Sequence, residues 1–252
     1  MIEHKDKHGN ENMIEGRNAV LEAFRSGKPV DKLFVLDGCQ DGPVRTIVRE
    51  AKKQDTLVQF VDKERLTQLS QTGRHQGVIA YTAAYEYAQV EDMLALAKER
   101  GEDPFLILLD DIEDPHNLGA IIRTANLAGA HGVIIPKRRA VGLTATVAKT
   151  SAGAINYTPV AKVTNLTKTM KELKEKGLWF VCADMGGESM YKLNLTGPIG
   201  LVIGNEGEGV SRLVKETCDF VASIPMKGDI DSLNASVATG VLAYEIVRQR
   251  LG

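Results

Sequence analysis

Short, almost uninterrupted apolar runs in the second half of the chain restrict its fold more than any other feature. "FLILL" begins at Phe105, "GVIIP" at Gly132 and "IGLVI" at Ile199, and helix-like segments lie between them. Runs without polar alternation are typical of strands buried on both faces of a parallel sheet. The sequence therefore predicts a parallel α/β domain over residues 105–252.

A second, smaller α/β domain is predicted over residues 13–84. An amphipathic helix is expected to begin at Met13 and to end before Gly27, and "KLFVLDG", "TLVQFVD" and "QGVIAYTAA" are strand candidates that alternate with helical segments. Residues 85–104 include the helical segment "VEDMLALAKERGED", whose acidic tail, with Pro104, predicts a solvated linker. Residues 1–12 are expected to form a disordered tail.

Composition excludes several classes of protein. Hydrophobic residues make up 43% and charged residues 25% of the 252 residues, which is ordinary for a globular protein. No apolar run approaches the roughly 20 residues that a membrane span needs, and the N-terminus lacks a signal-peptide core. A cytoplasmic protein without membrane contact is expected.

Neither a disulfide framework nor a metal site is expected. The three cysteines, Cys39, Cys182 and Cys218, are far apart, and the five histidines are scattered. The net charge of −2 argues against a general polyanion binder. Any nucleic-acid contact must come from local clusters, such as Lys137, Arg138 and Arg139.

Three segments of the second domain carry polar residues that a fold alone does not require. The first is "LDDIEDPHNLGAIIRTANLAGAHG", in which Asn117 fits a helix N-cap. Leu118 begins an apolar stripe with Ile121 and Ile122, and Arg123 projects away from that stripe. An ordinary solvated arginine would have the same placement.

The second segment is the loop "GNEGEG", which follows an apolar run and precedes a helix-like segment. This outline is typical of phosphate-binding turns, yet Glu206 and Glu208 would repel phosphates. Its glycines, at 204, 207 and 209, do not follow the G-x-G-x-x-G spacing of dinucleotide sites, which argues against an oxidoreductase. A tight turn whose acids complement a helix dipole is the simpler interpretation.

The third segment, "SIPMKGDIDSLNAS", brings Ser232 and Asn234 to the start of the last helix. It holds more residues able to cap a helix than one helix start can use. The helix itself is apolar around almost its whole circumference, interrupted before its basic end by Thr239, Glu245 and Arg248. Such a helix needs burial on two sides, which a core and a subunit interface would provide together.

Together, the three segments resemble the three motifs of the SpoU (TrmH-type) family of RNA 2′-O-ribose methyltransferases, in the SPOUT superfamily. The resemblance is dense over 105–252. In addition, "GRNAVLEAF" and "RHQGVIA" resemble the ribosomal-protein-like RNA-binding domain of the family's bacterial large-subunit rRNA guanosine methyltransferases. The resemblance implies a trefoil-knotted C-terminal domain, S-adenosyl-L-methionine (AdoMet) as cofactor, and a homodimer with the knot and last helix at its interface.

The resemblance also implies roles for particular residues. AdoMet contacts fall on Gly204, Ile224, Met226 and Leu233, and the catalytic set is Arg123 with Asn117, Glu206, Ser232 and Asn234. Two roles for Arg123 stay open, since an arginine pKa above about 12 leaves little free base. It is either a base whose pKa a nearby sulfonium lowers, or a group that holds the target phosphate and polarises the hydroxyl.

RNA phosphates are expected to contact Arg74, Lys137, Arg138 and Arg139, although the basic run is equally typical of a solvated loop. The function implied is AdoMet-dependent 2′-O-methylation of RNA, at a guanosine of 23S ribosomal RNA. A tRNA ribose methyltransferase and a non-catalytic RNA-binding protein of the same fold are the alternatives. Binding of AdoMet but not NAD would separate these from an oxidoreductase.

Overall fold

The computed structural model describes residues 12–230 and 232–252. The chain divides into two compact units, one containing residues up to Glu86 with Gly142–Ala145, the other containing Tyr87–Val141 with Thr146–Gly252. Apart from Asn12, the predicted N-terminal tail lies outside the described residues, as do His4 and His8.

The first unit contains a mixed four-stranded sheet in the order β1-β4-β2-β3. Strand β2 is parallel to β3 and antiparallel to β4, which in turn is antiparallel to β1. Its elements are β1 (Met13–Glu15), α1 (Arg17–Arg25), β2 (Val30–Leu36), α2 (Gly42–Lys53), β3 (Leu57–Val61), α3 (Lys63–Leu69) and β4 (Val78–Thr82).

Helices cover both faces of this sheet. Helices α1 and α2 bury Val20, Phe24 and Ile47 against one face of the sheet. Helix α3 buries Leu66 against the opposite face, beside Phe34. Because apolar residues alternate along β2, the two faces receive separate clusters of side chains.

The predicted helix at Met13 is wrong in its first residues. Met13–Glu15 form β1, in which Glu15 pairs with Ile79 of β4. The helix starts only after Gly16, whose φ of 88° interrupts a continuous helix. The carboxylate of Glu15 accepts hydrogen bonds from the backbone N–H groups of Gln71 (2.8 Å) and Thr72 (3.0 Å), which further fixes this strand.

The second unit contains a six-stranded sheet in the order β10-β8-β9-β5-β6-β7, with every pair parallel. Strands β5 and β9 lie in the middle, and every residue of both is buried. The prediction of a parallel α/β fold from the apolar runs is thus confirmed. Among the residues that the structure describes, no helix is long and apolar enough to cross a membrane.

Strands and α-helices alternate along this part of the chain except between β8 and β9, which no α-helix separates. They are α4 (Val90–Arg100), β5 (Phe105–Leu109), α5 (Pro115–Leu127), β6 (Gly132–Pro136), α6 (Ala145–Thr150), β7 (Val160–Val163), α7 (Leu166–Glu175), β8 (Trp179–Ser189), β9 (Ile199–Ile203), α8 (Arg212–Thr217), β10 (Phe220–Ser223) and α9 (Ala235–Leu251).

Helix α4 corrects the expectation of a solvated segment between the domains. Met93 and Ala97 are fully buried, and Met93 joins the core of the second unit with Leu106 and Leu108. The spacing of Met93 and Ala97 places them on one face of the helix, while the acidic residues occupy the solvent side. The helix ends at Gly101, in a left-handed conformation, so it is a capped helix packed on the sheet.

Candidate active site

The order of strands places a candidate site at the C-terminal ends of β8, β9 and β10. From β5 the chain continues to β6 and β7 on one side, whereas β9, β8 and β10 extend the sheet on the other. In open α/β sheets, ligands bind near the point where the strand order reverses in this way, which here lies between β5 and β9. A pocket of about 230 Å³ lies on the β9 side of that point, lined by residues of 183–185, 203–209, 222–226 and 232–238.

One wall of the pocket is the loop 204–209, whose ends touch. A Cβ atom on Gly204 would lie 2.1 Å from the carbonyl carbon of Gly209, so no side chain fits there. The side chain of Asn205 holds the turn, since its Oδ1 accepts hydrogen bonds from the N–H groups of Gly207 (2.9 Å) and Glu208 (2.7 Å). The loop is therefore a closed turn that presents backbone to the pocket.

Three of the predicted catalytic residues form one hydrogen-bonded cluster, defined here as Asn117, Glu206 and Asn234. The Nδ2 atom of Asn117 donates to Oε1 of Glu206 at 2.5 Å. The Nδ2 atom of Asn234 lies 2.9 Å from Oδ1 of Asn117 and 3.1 Å from Oε1 of Glu206. Residues that lie 89 and 117 positions apart are thereby joined at the edge of the pocket.

Asn117 does not cap its helix, contrary to the prediction. Helix α5 begins at Pro115, and Oδ1 of Asp114 accepts a hydrogen bond from the N–H of His116 at 2.9 Å. Proline suits the first helical position because its φ is already helical and its missing N–H would have no partner there. Asn117 thus lies inside the first turn, where it is buried and its amide is free to bind Glu206.

Asn234 is the N-cap of α9. Its Oδ1 accepts hydrogen bonds from the N–H groups of Ser236 (3.0 Å) and Val237 (3.4 Å), while its Nδ2 donates to the other two residues of the cluster. The N–H of Ala235, at the start of the same helix, also points to Oε1 of Glu206 at 3.4 Å. The carboxylate therefore lies at a helix N-terminus, where negative charge is favoured.

Ser232 and Arg123 lie outside this cluster. Ser232 is exposed and lines the pocket without bonding to the cluster. Arg123 is exposed on α5, and it forms no hydrogen bond or ion pair with any residue that the structure describes. Arg123 lies six residues after Asn117, so its side chain points about 120° away from that of Asn117 around the helix axis. The structure thus leaves the guanidinium free to reach a ligand.

The predicted cofactor residues, Gly204, Ile224, Met226 and Leu233, all line the pocket. Three carboxylates, Asp184, Glu206 and Glu208, also lie on its wall, and no lysine or arginine is among the described residues that line it. Such a wall favours a cationic ligand and disfavours a chain of phosphates. A sulfonium compound such as AdoMet fits this charge distribution.

Asp184 is a pocket residue that the motifs do not single out. Its carboxylate pairs with Nζ of Lys215 at 2.8 Å, and the hydrogen bond from Lys215 lowers the pKa of Asp184 below its usual value. It is the last residue of the predicted strand "LWFVCAD", and strand β8 continues past it to Ser189. Gly187 permits this continuation beside β10, because a Cβ atom there would lie 2.3 Å from the carbonyl oxygen of Val221.

The predicted phosphate contacts have different environments. Arg74 is exposed in the first unit, and Arg138 is exposed after β6 in the second. Arg139 is exposed too, but it pairs with Asp111 at 3.3 Å and has a left-handed backbone with φ of 54°. Lys137 is half-buried, and burial lowers its pKa. None of the four lines the pocket described above.

No group of three or more His, Cys, Asp or Glu side chains within 12–230 and 232–252 is arranged to hold a metal ion. The groups placed at the pocket are two neutral amides, a hydroxyl, backbone amides and carboxylates. They can orient a hydroxyl group and stabilise a positive charge.

Comparisons with known proteins agree on one family. A family model described as "SpoU rRNA Methylase family" matches residues 104–244, and one described as "RNA 2'-O ribose methyltransferase substrate binding" matches residues 13–88. YacO of Bacillus subtilis (strain 168), named as a TrmH-family tRNA/rRNA methyltransferase, is 51% identical over 239 residues, which are 94% of this chain and 95% of its own.

Two solved structures are also similar. The SpoU methyltransferase AviRb from Streptomyces viridochromogenes, in complex with AdoMet, is 26% identical with a TM-score of 0.60 and covers 95% of this chain and 90% of its own. The A. aeolicus TrmH/SpoU tRNA modifying enzyme is 27% identical with a TM-score of 0.54 and covers 63% of this chain and 84% of its own.

Proposed function

The chain belongs to the SpoU/TrmH family of RNA methyltransferases, whose cofactor is AdoMet, and from this membership we propose that it methylates a ribose 2′-hydroxyl of RNA. The target that we propose is a guanosine of 23S ribosomal RNA. The descriptions of the two matching family models name rRNA and the 2′-O ribose reaction, which supports the kind of RNA and the position of the methyl group. We assign RNA binding to residues 13–84 and methyl transfer to 105–252; residues 85–104 connect the two, and their helix α4 packs in the core of the second unit.

A tRNA ribose is the second candidate, because the Bacillus relative is named for both kinds of RNA. The tRNA modifying enzyme, however, covers only 63% of this chain, whereas AviRb covers 95%. An rRNA methyltransferase from Sinorhizobium meliloti, 25% identical with a TM-score of 0.55, also covers 95% of this chain and 88% of its own. This likeness over nearly the whole chain favours ribosomal RNA.

The observation that carries the proposal is the cluster of Asn117, Glu206 and Asn234 at the edge of an acidic pocket. AdoMet supplies an electrophilic methyl group on a positively charged sulfur. Glu206 places a carboxylate on the wall and stabilises that charge. Asn117 and Asn234 fix the carboxylate and add no charge of their own.

Other residues position the two reactants. Gly204, Ile224, Met226 and Leu233 line the pocket, and their backbone groups hold the adenosine portion of the cofactor. Ser232 presents a hydroxyl from the same wall, which orients the ribose. Holding both reactants in line converts the transfer into an effectively unimolecular step, and positioning of this kind contributes several kcal/mol.

Arg123 binds the target nucleotide in this proposal. Its guanidinium is exposed and has no carboxylate partner among the described residues, so it is available to a phosphate. A charged arginine that clamps the phosphate and polarises the 2′-hydroxyl suits an exposed position. A deprotonated arginine would need burial beside another cation. The proton of the hydroxyl then leaves to phosphate or water.

We also propose a homodimer and a knotted C-terminal segment. Val237 and Tyr244 lie two turns apart on one face of α9, and each is 50% exposed. The other side of the helix is covered, since Leu242, Ala243 and Ile246 are fully buried. A second subunit on the exposed stripe would give this helix the burial that its composition requires. Sedimentation equilibrium tests the dimer.

The experiment that tests the function maps 2′-O-methyl marks on rRNA and tRNA from cells that lack the protein. One 23S guanosine should be unmodified, and purified protein with AdoMet should restore its mark. A missing mark on tRNA alone would contradict the rRNA assignment. Absence of transfer to either RNA would contradict the proposed function.

A matched pair of variants tests Arg123. Arg123→Ala should lose methyl transfer and keep AdoMet affinity, because its exposed side chain forms no hydrogen bond or ion pair with a described residue. Arg100→Ala removes another exposed arginine of the same unit and should retain both methyl transfer and AdoMet affinity. Full activity of Arg123→Ala, or equal losses in the two variants, would contradict the role of Arg123.

A further inference from the structure

A groove in the first unit lies between α2 and β3 and encloses about 580 Å³. Its floor is apolar and is formed by Val44 and Val48 of α2 and Phe60 of β3. None of the residues for which the family resemblance implies a role lies in it. A groove with an apolar floor binds flat or extended ligands, and its walls decide which kind.

The walls of this groove are basic. Helix α2 carries four basic residues, Arg45, Arg49, Lys52 and Lys53, against one acidic residue, Glu50, which gives the helix a net charge of +3. All four basic side chains line the groove. Positions 45, 49 and 52 follow the i, i+4, i+7 spacing and form a stripe roughly 10 Å long. The chain as a whole has a net charge of −2, so this stripe is a local concentration of positive charge.

Part of this charge has no counter-ion in the protein. Glu50 contacts Lys53 at 3.0 Å and Arg49 at 3.5 Å. Arg45 and Lys52 form no ion pair with any residue in the described part of the chain, and both are exposed. Unpaired, regularly spaced cations on an exposed helix fit a polyanion with repeating charges.

Phe60 adds an aromatic ring to the same groove. It is 56% exposed, which is unusual for a phenylalanine in a strand. Strand β3 is at the edge of the sheet, and Phe60 pairs with Val35 of β2, which belongs to the core under α1 and α2. The ring therefore lies on the α2 face of the sheet and lines the groove with the cations, and its exposed area is accessible to a ligand.

We propose that this groove binds single-stranded RNA, with the phosphates on Arg45 and Lys52 and a base stacked on Phe60. An aromatic platform inside a basic groove is the combination that single-stranded nucleic-acid sites use. The groove thus takes the unpaired strand that flanks the methylated nucleotide. This inference rests on the proposed RNA methyltransferase function and identifies the surface that holds the substrate.

The test measures binding of a fluorescein-labelled oligouridylate to the full-length protein by anisotropy over a series of salt concentrations. Phe60→Ala should weaken binding by about 5- to 150-fold, the loss expected for one base stacked on an aromatic ring, without a change in the salt dependence. The double variant Arg45→Gln/Lys52→Gln should lower the slope of log affinity against log salt by about 1.4, as expected for two lost phosphate contacts.

The chain offers a matched control on the other face of the same sheet. Lys63 and Arg65 are exposed on α3, so Lys63→Gln/Arg65→Gln removes the same charge from the same unit. This control should bind the oligouridylate as the wild type does. Phe60→Leu, which keeps an apolar side chain, should lose the stacking and retain the melting temperature, so that a folding defect of Phe60→Ala does not obscure the result.

If the groove variants kept the affinity and salt slope of the wild type, while the wild-type protein transferred methyl groups, RNA binding by the groove would be refuted. The proposed function would be unaffected. Equal losses in the α3 control would refute RNA binding by the groove too, because the effect would then be one of net charge. RNA binding by the groove would also be refuted if Phe60→Ala did not change the affinity and if polyglutamate displaced the labelled oligouridylate as well as unlabelled oligouridylate does. A wild-type protein that binds AdoMet and RNA but transfers no methyl group would overturn the proposed function, whereas losses of RNA binding confined to the groove variants would still support the groove.

Discussion

Gly204 allows the sharpest test of the pocket, because its substitution by alanine has a calculable consequence. The added Cβ would lie 2.1 Å from the carbonyl carbon of Gly209, 2.2 Å from its oxygen and 2.3 Å from the nitrogen of Val210. These are backbone atoms, so no side-chain rotation relieves the overlap. The two ends of the loop 204–209 must move apart by at least ~1 Å to reach ordinary contact distance.

The cost follows from this displacement. Forcing one extra carbon into a packed site costs about 1–3 kcal/mol. If the loop must close around AdoMet, the strain opposes binding and lowers the affinity by roughly 5- to 150-fold. Strain that remains in the free protein lowers its melting temperature instead, by about 2–12 °C for a chain of this size.

Calorimetric titration measures the AdoMet affinity, and thermal unfolding of the free protein measures the melting temperature, so together they detect either form of the strain. Gly207→Ala is the matched control, because the nearest atom to its Cβ would be Oδ1 of Asn205 at 3.6 Å, an ordinary contact. That variant should bind and melt like the wild type. If Gly204→Ala kept the AdoMet affinity and melting temperature of the wild type, the close backbone approach at 204 would be refuted. Equal losses in Gly204→Ala and Gly207→Ala would show that the effect is not specific to position 204.

Three further predictions follow from buried or bonded side chains. Met93→Ala should lower the free energy of unfolding by about 2–5 kcal/mol in denaturant titrations, and Leu94→Ala, at a partly buried position, should lower it by less. Burial lowers the pKa of His131, whose Nδ1 accepts a hydrogen bond from the N–H of Phe105, so the unfolded chain takes up the proton first. The free energy of unfolding should fall as the pH drops from about 6.5 to the lowered pKa of His131, by at most about 1.4 kcal/mol per pH unit. Unfolding measurements at pH 5 and 7 should show that His131→Asn removes this dependence. Glu206→Gln keeps an acceptor for the cluster but loses the charge, so calorimetry should show about tenfold weaker AdoMet binding with an unchanged melting temperature, and unchanged affinity would contradict the proposed charge pairing.

The sheet of the second unit could be predicted from sequence because strands buried on both faces leave a simple signal. All five residues of Phe105–Leu109 and of Ile199–Ile203 are buried, as their composition indicates. Edges of elements carry weaker signals. Met13–Glu15 have a helical pattern but pair with β4, and Met93 has its partners in a core that exists only after folding.

The candidate site divides in the same way. The resemblance identified Gly204, Glu206 and Asn234, and these do lie at one pocket, although their roles remain predictions. Asp184 ends the predicted strand "LWFVCAD", but nothing in that segment distinguishes a carboxylate at a pocket from one at a solvated strand end. Phe60 was equally hidden, because in "TLVQFVD" it has the pattern of a core residue, and only the edge position of β3 exposes it.

The acidic character of the loop 204–209 and the near-neutral charge of the chain have one explanation. The cofactor is a cation and the RNA is a polyanion, so each needs a surface of opposite charge. Carboxylates line the pocket of the second unit, and Glu206 is held there by the cluster and by the start of α9. Unpaired cations line the groove of the first unit. Because each local concentration of charge is offset elsewhere in a chain whose net charge is −2, net charge is a poor guide to RNA binding in this protein. Removing the acids of the pocket should strengthen nonspecific RNA binding while weakening that of AdoMet.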